Sequence, residues 1–205
     1  MRTAAALIGI ALVAISAAAI AAPIGSAVSV ERSVTGAGSK LSAGDGVAQD
    51  EVIATGNASS AQLRFIDDTQ LSIGPFSSVR LDTFVFNPDR TAKTVAIELG
   101  RGGFRFISGG SGDQAYVIRT PHAIIGVRGT VFGIVVARDR TIITLKAGAV
   151  HVCPRSARGQ GCVTATRPED AVVVTRTAAQ PPAPRIPGQQ PDFVEWCKGR
   201  AQCGL

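Results

Sequence analysis

Four cysteines are the residues of this chain whose type and spacing most directly imply chemistry. They lie at Cys153, Cys162, Cys197 and Cys203. In an oxidising compartment an even number of cysteines predicts disulfides, whereas cytosolic thiols stay reduced. Four cysteines allow three pairings. We favour the local one, Cys153–Cys162 with Cys197–Cys203, because each bridge closes a short loop and would add roughly 2–3 kcal/mol of stability.

A zinc site is the alternative to the first of these disulfides. His151 lies two positions before Cys153 and could join Cys153 and Cys162 as a ligand. Zinc does bind imidazole nitrogen and thiolate sulfur, but structural zinc sites typically use closely spaced cysteine pairs, and no Cys-x-x-Cys pair is present here. We therefore predict no metal and no cofactor.

The other candidates for catalysis are two histidines and a serine in a glycine-rich segment. His122 follows Pro121 in a predicted turn, where we expect it to be exposed. Ser111 lies in Gly-Gly-Ser-Gly-Asp, which differs from the Gly-x-Ser-x-Gly nucleophile elbow. The chain has no Gly-x-x-x-x-Gly-Lys-Ser/Thr phosphate loop. Covalent catalysis needs a nucleophile, a base and an orienting group in contact, and no such set is recognisable, so we predict that the protein is not an enzyme.

Two pairs of adjacent acids, Asp50-Glu51 and Asp67-Asp68, are the closest carboxylates in the sequence. A carboxylate pair would suggest glycoside hydrolysis. Neighbouring residues of a strand point to opposite faces, however, and these acids lie in or beside predicted turns. We interpret them as solvated turn acids. A calcium site that uses Asp45, Asp50 or Asp68 is a further alternative.

The elements that must position these side chains are predicted to be strands. Within residues 114–137, two runs rich in Val, Ile and Thr occupy residues 116–118 and 130–136. A Thr120-Pro121 turn and an Arg128-Gly129-Thr130 corner lie between them. β-branched residues pack well on a pleated sheet. The second run is apolar on both faces, which predicts a central strand covered on two sides.

Similar short strands recur over residues 28–153 at spacings of roughly 8–12 residues, which is typical of sandwiches and barrels. Residues 61–65 and 71–73 alternate on either side of Asp67-Asp68, which predicts a hairpin with a two-residue turn. The connections are too short for helical crossovers. We therefore predict an all-β domain over residues 28–153, mainly antiparallel, built as a two-layer sandwich or a short β-solenoid-like stack.

The N-terminal residues 1–21 have the pattern of a signal peptide. Arg2 precedes an apolar run over residues 4–21, and Ala19-Ile20-Ala21 supplies the small-x-small cleavage site. An uncleaved anchor is the alternative, since about 20 apolar residues span a bilayer. In either case the rest of the chain is expected to be periplasmic or secreted, and no stable membrane span remains after cleavage.

The C-terminal quarter differs in composition from the predicted strands. Residues 154–176 are predicted to form a β extension closed by the first disulfide, and residues 177–205 a Pro-rich tail with a short C-terminal helix. In that helix Phe193 and Trp196 would share one side. We expect Trp196 to pin the tail onto the domain, and docking to a partner is the alternative.

The net charge indicates which partners to consider. The whole chain carries +6, and loss of Arg2 with the signal segment leaves 20 basic against 15 acidic residues, or +5. A basic surface attracts nucleic acid, acidic polysaccharide or anionic lipid. The arginines are scattered, with no run of four and no interleaved aromatics. Because export also separates the protein from nucleic acid, we predict no nucleic-acid partner and keep a cell-wall or other acidic glycan as an alternative ligand.

Taken in order, the predicted strands resemble the FecR domain, the periplasmic module of a family of transmembrane sigma-factor regulators. The resemblance runs from Gly44 to Val152, and its most specific element is Arg128-Gly129-Thr130-x-Phe132. The other elements, in chain order, are residues 52–56, Ala61-x-Leu63-x-Phe65-x-Asp67-x-Thr69-x-Leu71, Gly74-Pro75-x-Ser77, Leu99-Gly100, Phe104-x-Phe106, Tyr116-x-Ile118-x-Thr120-Pro121 and Gly148-x-Val150-x-Val152.

The resemblance implies structural roles for the motif residues, among them Asp67, Thr69, Pro75, Thr120, Pro121, Arg128, Gly129, Thr130, Phe132 and Gly148. Arg128 is expected to satisfy backbone carbonyls beside Gly129. The family's usual Asp-Gly-Ser/Thr turn has Asp68 in place of glycine here, and aspartate tolerates a left-handed backbone.

The resemblance also implies a function. The domain receives a signal through protein contact, so another envelope protein is the expected partner. Family members that hold a sigma factor do so with a cytoplasmic N-terminal domain followed by a membrane span. The present chain has an export signal at that place. Anti-sigma activity is therefore not carried over, and the expected role is that of a protein-binding module in envelope signalling or regulation.

Overall fold

The computed structural model describes residues 22–111, 115–199 and 203, and the predicted signal peptide lies outside them. The strands are β1 (Gly25–Glu31), β2 (Val34–Gly36), β3 (Ser39–Lys40), β4 (Gly46–Val47), β5 (Val52–Thr55), β6 (Ser60–Phe65), β7 (Gln70–Ile73), β8 (Ser78–Phe86), β9 (Ala92–Leu99), β10 (Gly102–Ile107), β11 (Tyr116–Arg119), β12 (Ala123–Val136), β13 (Thr141–Pro154), β14 (Val163–Ala165), β15 (Asp170–Val174) and β16 (Ala183–Pro184). A short helix, α1 (Phe193–Cys197), follows. No helix in the described part of the chain has the length and hydropathy to cross a bilayer.

The predicted all-β class is confirmed, because the strands form one curled, mixed sheet of 16 strands. Its main path runs β3-β2-β5-β8-β9-β11-β12-β10-β7-β6-β1-β4. β13 pairs with β12, β14 and β15, and β16 pairs with β15. The ladder between β9 and β11 is parallel, with Val95 opposite Tyr116. The other ladders between these strands are antiparallel, so the mainly antiparallel arrangement that the short connections predict is present.

A long bent hairpin, β12–β13, joins the two halves of this sheet. Residues 124–127 of β12 pair with β11, and residues 131–136 pair with β10. β13 follows β12 along both parts, and the register between them shifts at Arg128–Val131. Because β11 and β10 belong to opposite halves of the path, the hairpin crosses from one half to the other at the predicted Arg-Gly-Thr corner.

The core lies between the two halves, which face each other. The rings of Phe65 in β6 and Phe84 in β8 have centroids 4.8 Å apart. Those of Phe106 in β10 and Tyr116 in β11 are 5.6 Å apart with nearly perpendicular planes, a favourable arrangement for aromatic rings. Phe106 and Tyr116 belong to one cluster of buried apolar side chains that includes residues of both halves. The halves thus form the two layers of a sandwich.

The β6–β7 hairpin forms as predicted, but its loop is longer than the two-residue turn that the sequence predicts. The amide of Phe65 donates to the carbonyl of Thr69 at 2.9 Å, so residues 66–68 form a three-residue loop. The amide of Asp68 donates back to Phe65, and Asp68 has φ +65°. This is the type I turn followed by a left-handed residue that commonly closes such loops.

The helix α1 packs against the outer surface of β10 and β12, where three glycines leave room for it. A β-carbon on Gly103 would overlap the indole ring of Trp196, one on Gly74 would also meet Trp196, and one on Gly133 would meet the backbone of Phe193. The indole nitrogen of Trp196 donates to the carbonyl of Pro75 at 2.9 Å. Trp196 therefore fastens this segment to the sheet.

Buried charges hold the same segment. The carboxylate of Asp192 accepts from the amide of Glu195 at 3.0 Å and lies 3.2 Å from the ammonium of Lys146 and 3.7 Å from the guanidinium of Arg185. Burial acts to raise the pKa of Asp192, but the Glu195 amide, Lys146 and Arg185 together hold that pKa below its ordinary value. Asp192 therefore caps α1 as a carboxylate.

We expect Gly103→Ala to displace α1 and to lower the free energy of unfolding by about 2 kcal/mol, the range typical of overpacking. The backbone of Gly103 lies outside the left-handed region, so the methyl group acts only by overlap with Trp196. Trp196 is the single tryptophan of the chain. Its fluorescence should shift to the red, and the urea midpoint should fall.

The control is the same substitution in a Trp196→Ala background, where no indole opposes the new methyl group. There only the β-carbon of residue 196, 3.0 Å from the added methyl group, remains, so Gly103→Ala should cost far less stability than in the unmodified chain. An equal loss of stability in both backgrounds would show that the close approach of Trp196 is not the cause.

Candidate functional site

Asp67 lies at the centre of a buried hydrogen-bond network, and it is not the solvated turn acid that the sequence analysis predicts. It is only 6% exposed. Its Oδ2 accepts from the hydroxyls of Tyr116 at 2.6 Å, Thr69 at 2.9 Å and Ser111 at 3.1 Å, and its Oδ1 accepts from the amide of Thr69. The three-residue loop turns Asp67 inward, while the side chain of Asp68 stays 75% exposed.

This network ties three separate segments together. Thr69 also accepts from the amide of Gly109 at 3.0 Å, so the hairpin loop, the segment at Gly109–Ser111 and β11 share one set of hydrogen bonds. Burial and the Asp67 carboxylate raise the pKa of Tyr116. The tyrosine hydroxyl therefore keeps its proton and stays a donor to Asp67. The arrangement stabilises loops and offers no free nucleophile.

His122 is likewise buried, at 4% exposure, so the expectation of an exposed turn residue is wrong. Its Nδ1 lies 3.1 Å from the hydroxyl of Thr141, and its amide donates to the hydroxyl of Thr120. The segment that follows β13 covers the turn, because the guanidinium of Arg155 donates to the carbonyl of Thr120 at 2.8 Å. Burial lowers the pKa of His122, which favours the neutral imidazole.

A third buried set connects the end of β5 to the turn before β8. The hydroxyl of Thr55 donates to the carbonyl of Gly74 at 2.6 Å and accepts from the amide of Ser77 at 2.9 Å. The hydroxyl of Ser77 in turn accepts from the amide of Gly103 at 3.1 Å. The Thr-Gly and Gly-Pro-x-Ser elements, which are far apart in sequence, therefore brace each other. Sequence reasoning did not detect this pairing.

The corner of the β12–β13 hairpin is held by Thr130 and two glycines. The hydroxyl of Thr130 lies 2.7 Å from the carbonyl oxygens of both Arg128 and Ala149, to which it can donate. Gly129 and Gly148 have φ of +53° and +81°. A β-carbon on Gly148 would overlap the carbonyl of Gly129. Thr130 thus satisfies carbonyls on both strands of the corner, and the side chain of Arg128 is exposed.

The cysteines form the local pairs that the sequence analysis favours. Cys153 is bonded to Cys162 and Cys197 to Cys203, with Cα atoms 4.2 Å and 6.1 Å apart. His151 lies beside the first pair, and its nearest ring nitrogen and the two sulfurs are within 4.8 Å of one another. Zinc binds thiolates, however, and the bonded sulfurs are not thiolates. Disulfides are typical of proteins in oxidising compartments.

The acids considered for calcium are engaged separately. Asp45 accepts from the amide of Ser42 at 2.8 Å, Asp50 pairs with Arg80 at 2.9 Å, and Asp68 pairs with Arg64 at 3.0 Å. Across residues 22–111 and 115–199, the His151 group is the cluster of three or more potential metal ligands that the structure brings together. The three aspartates do not form such a cluster.

A cleft of about 590 Å³ lies on the outer face of β5, β8 and β9. We call it the arginine cleft, since Arg80, Arg155 and Arg176 line it together with a single acid, Glu98. Sequence reasoning missed this group because the three arginines are scattered along the chain. The one local signal was the alternation that places Arg80 on the outer face of β8.

Comparison with known proteins finds a family model and solved structures that are similar to part of the chain. The FecR protein family model matches residues 51–151. Two crystal structures of a "putative anti-sigma factor" from Parabacteroides distasonis ATCC 8503 are 16% identical to the chain, with a TM-score of 0.48. The similarity covers 63% of this chain and 57% and 56% of theirs, less than two thirds of their length. No curated protein matches the chain. Residues 51–151 of this chain therefore form a FecR domain.

Proposed function

We propose that this protein is an exported, non-enzymatic recognition module that binds another envelope protein in a signalling or regulatory setting. The FecR domain at residues 51–151 supports the regulatory setting. The observation that carries the proposal is that the polar side chains of the family motif are buried and hydrogen-bonded to one another or to the backbone, namely Thr55, Asp67, Thr69, Ser77, Tyr116, Thr120 and Thr130. The hydrogen-bonding groups of these side chains already have partners within the protein. Recognition of another protein would therefore depend on the exposed surface.

The absence of enzymatic activity is part of this proposal. A general base must lie within hydrogen-bond reach of the proton that it removes from a substrate. Asp67 and His122 are two buried titratable groups of the motif region that could act as bases, and their polar atoms contact Tyr116 and Thr141. Neither side chain opens onto the arginine cleft, whose lining includes neither of them.

Export is supported by the covalent structure. The two disulfides close loops of sequence separation 9 and 6 near the C-terminus. Such bonds form and persist outside the cytoplasm. They agree with the signal peptide predicted for residues 1–21, and together these features favour a periplasmic or secreted protein.

A photo-crosslinking residue placed at exposed apolar positions tests the proposal in intact cells. Val28, Val52, Val85, Ile124 and Val194 are suitable, because each is at least 40% exposed. We expect one envelope protein to be captured from at least one position, at protein levels where the other positions give none. Absence of any adduct from all five positions, or recovery of the protein from the cytosol, would contradict the proposal.

An acidic glycan is the second candidate, favoured by the net charge of +5 that remains without the signal segment and by the arginine cleft. The dependence of binding on salt concentration distinguishes a glycan ligand from a protein partner. Binding of a polyanion by exposed charges is screened steeply as ionic strength rises, whereas a protein interface with an apolar centre is screened less. Binding to isolated cell-wall material that disappears at moderate salt, without any protein adduct, would favour the glycan.

A further inference from the structure

We propose that the arginine cleft binds an extended acidic segment of a partner protein. This inference rests on the proposed function and names a site and a ligand chemistry for it. The resemblance to the family does not point to this surface, which is formed in part by residues beyond the FecR domain. Arg155 and Arg176 both follow residue 151, where the family match ends.

The backbone fixes one wall of the cleft. Val52 of β5 lies opposite Arg80 of β8, and Arg80 lies opposite Glu98 of β9. These three side chains therefore form one row on the outer face of the sheet, while their neighbours Val79 and Leu99 are buried in the core. A row across paired strands is held by the sheet and does not depend on a mobile loop.

The opposite wall comes from two segments that are hydrogen-bonded to each other. Arg155 follows β13, Arg176 follows β15, and the amide of Ser156 donates to the carbonyl of Arg176 at 2.9 Å. The amide of Arg155 also donates to the carbonyl of His122 at 2.8 Å, which fastens this wall to the β11–β12 turn. Both walls are thus preformed, so a ligand would bind with little ordering of the protein.

The charges of the cleft favour an anion. Three guanidinium groups and one carboxylate line it, and with Asp50, which pairs with Arg80, the local charge is 3 − 2 = +1. Arg155 lies 3.5 Å from Glu98, and Arg80 donates to Asp50 at 2.9 Å. Each guanidinium has five N–H donors, so both retain donors for a ligand. Within the described residues, the exposed side chain of Arg176 forms no ion pair.

The size of each interaction argues for a ligand with several carboxylates. A single exposed ion pair contributes about 0.2–1 kcal/mol, which is too little to hold a lone anion from dilute solution. Carboxylates suit guanidinium groups because they accept two parallel hydrogen bonds. Two or three of them on one chain, reaching Arg176, Arg155 and Arg80 together, would add these small contributions and so give measurable affinity.

The apolar part of the cleft favours a protein segment over a uniformly charged glycan. Val52 is 48% exposed, and Pro121 also lines the cleft. A strand-like segment presents side chains alternately to opposite faces, so apolar residues can cover Val52 and Pro121 while acids reach the arginines. Contact of apolar groups at the centre of an interface with charges around it is the usual arrangement for protein recognition.

The test is a fluorescence-anisotropy titration of the mature full-length protein with a labelled peptide of alternating Glu and Val. Peptides with Gln or Lys in place of Glu are the matched probes. We expect the Glu peptide alone to bind, and Arg176→Glu to weaken it about tenfold, because loss of one pair plus a new repulsion amounts to about 1.4 kcal/mol. Arg155→Glu should weaken it as well.

Arg90→Glu is the control, since it makes the same charge change in the β8–β9 turn, outside the cleft. It should alter affinity less than twofold, and thermal melts should show that all variants are folded. Equal binding of the Gln peptide, or no effect of Arg176→Glu, would overturn the inference. So would tighter, Arg176-dependent binding of a sulfated oligosaccharide. A protein adduct in cells without peptide binding would overturn this inference and leave the proposed function in place.

Discussion

Replacing Gly148 by alanine is expected to lower the free energy of unfolding by about 3 kcal/mol or more, the sum of a left-handed backbone and an overpacked contact. Gly148 has φ +81°, and a β-carbon there would overlap the carbonyl of Gly129 across the corner. Neither backbone can retreat easily, because β12 and β13 are paired on both sides of this point. The urea midpoint of the purified protein measures the loss.

Gly129→Ala is the matched control within the same corner. Gly129 also has a positive φ, of +53°, but nothing lies within 4 Å of its added β-carbon. It should therefore show only the conformational penalty, on the order of 1 kcal/mol. If both variants were destabilised equally, the close approach of the two strands would not be what requires glycine at 148.

Asp67→Ala is the second substitution with a large expected effect. It removes the acceptor shared by Tyr116, Thr69 and Ser111. A buried donor left without its acceptor costs about 1–3 kcal/mol, so we expect a loss of roughly 3 kcal/mol for the network as a whole. Tyr116 is the single tyrosine of the chain, so its absorbance in an alkaline titration reports on the network directly.

The direction of that titration follows from the cause of the shift. Burial and the Asp67 carboxylate raise the pKa of Tyr116, and Asp67→Ala removes the second of these. The pKa of Tyr116 should therefore fall toward its ordinary value. Asp68→Asn is the control, because the side chain of Asp68 is exposed and asparagine keeps its left-handed backbone. An unchanged tyrosine titration in Asp67→Ala would refute the network as described.

Local patterns predicted the class of the fold but not its pairing. Alternation and turn residues identified the strands around Asp67-Asp68. The predicted Arg128-Gly129-Thr130 corner lies where β12 changes its pairing partner. The parallel ladder between β9 and β11 was not predicted, nor was the continuation of β12 back to Ala123. Both depend on contacts between strands that are far apart in sequence, which a local pattern does not contain.

The surroundings of the candidate site residues were predicted less well than the strands, for the same reason. An Asp-Asp pair in a turn looks solvated, and only Tyr116, 49 residues after Asp67, reveals that the first acid is buried. His122 is covered by a segment that follows β13. The arginine cleft needs β13 and β15 to bring Arg155 and Arg176 together. In each case the deciding neighbour comes from another part of the chain.

The bent hairpin β12–β13 belongs to both layers of the domain, so the layers are not two separable sheets. One end of β12 hydrogen-bonds to β11, toward the arginine cleft, and the other to β10, on which α1 rests. Neither layer can melt without breaking a ladder that belongs to the other, so we expect unfolding to be a single cooperative event. A force applied to one side of the domain would therefore be transmitted to the other side through two continuous strands. The domain would act as a stiff lever for any partner bound to it.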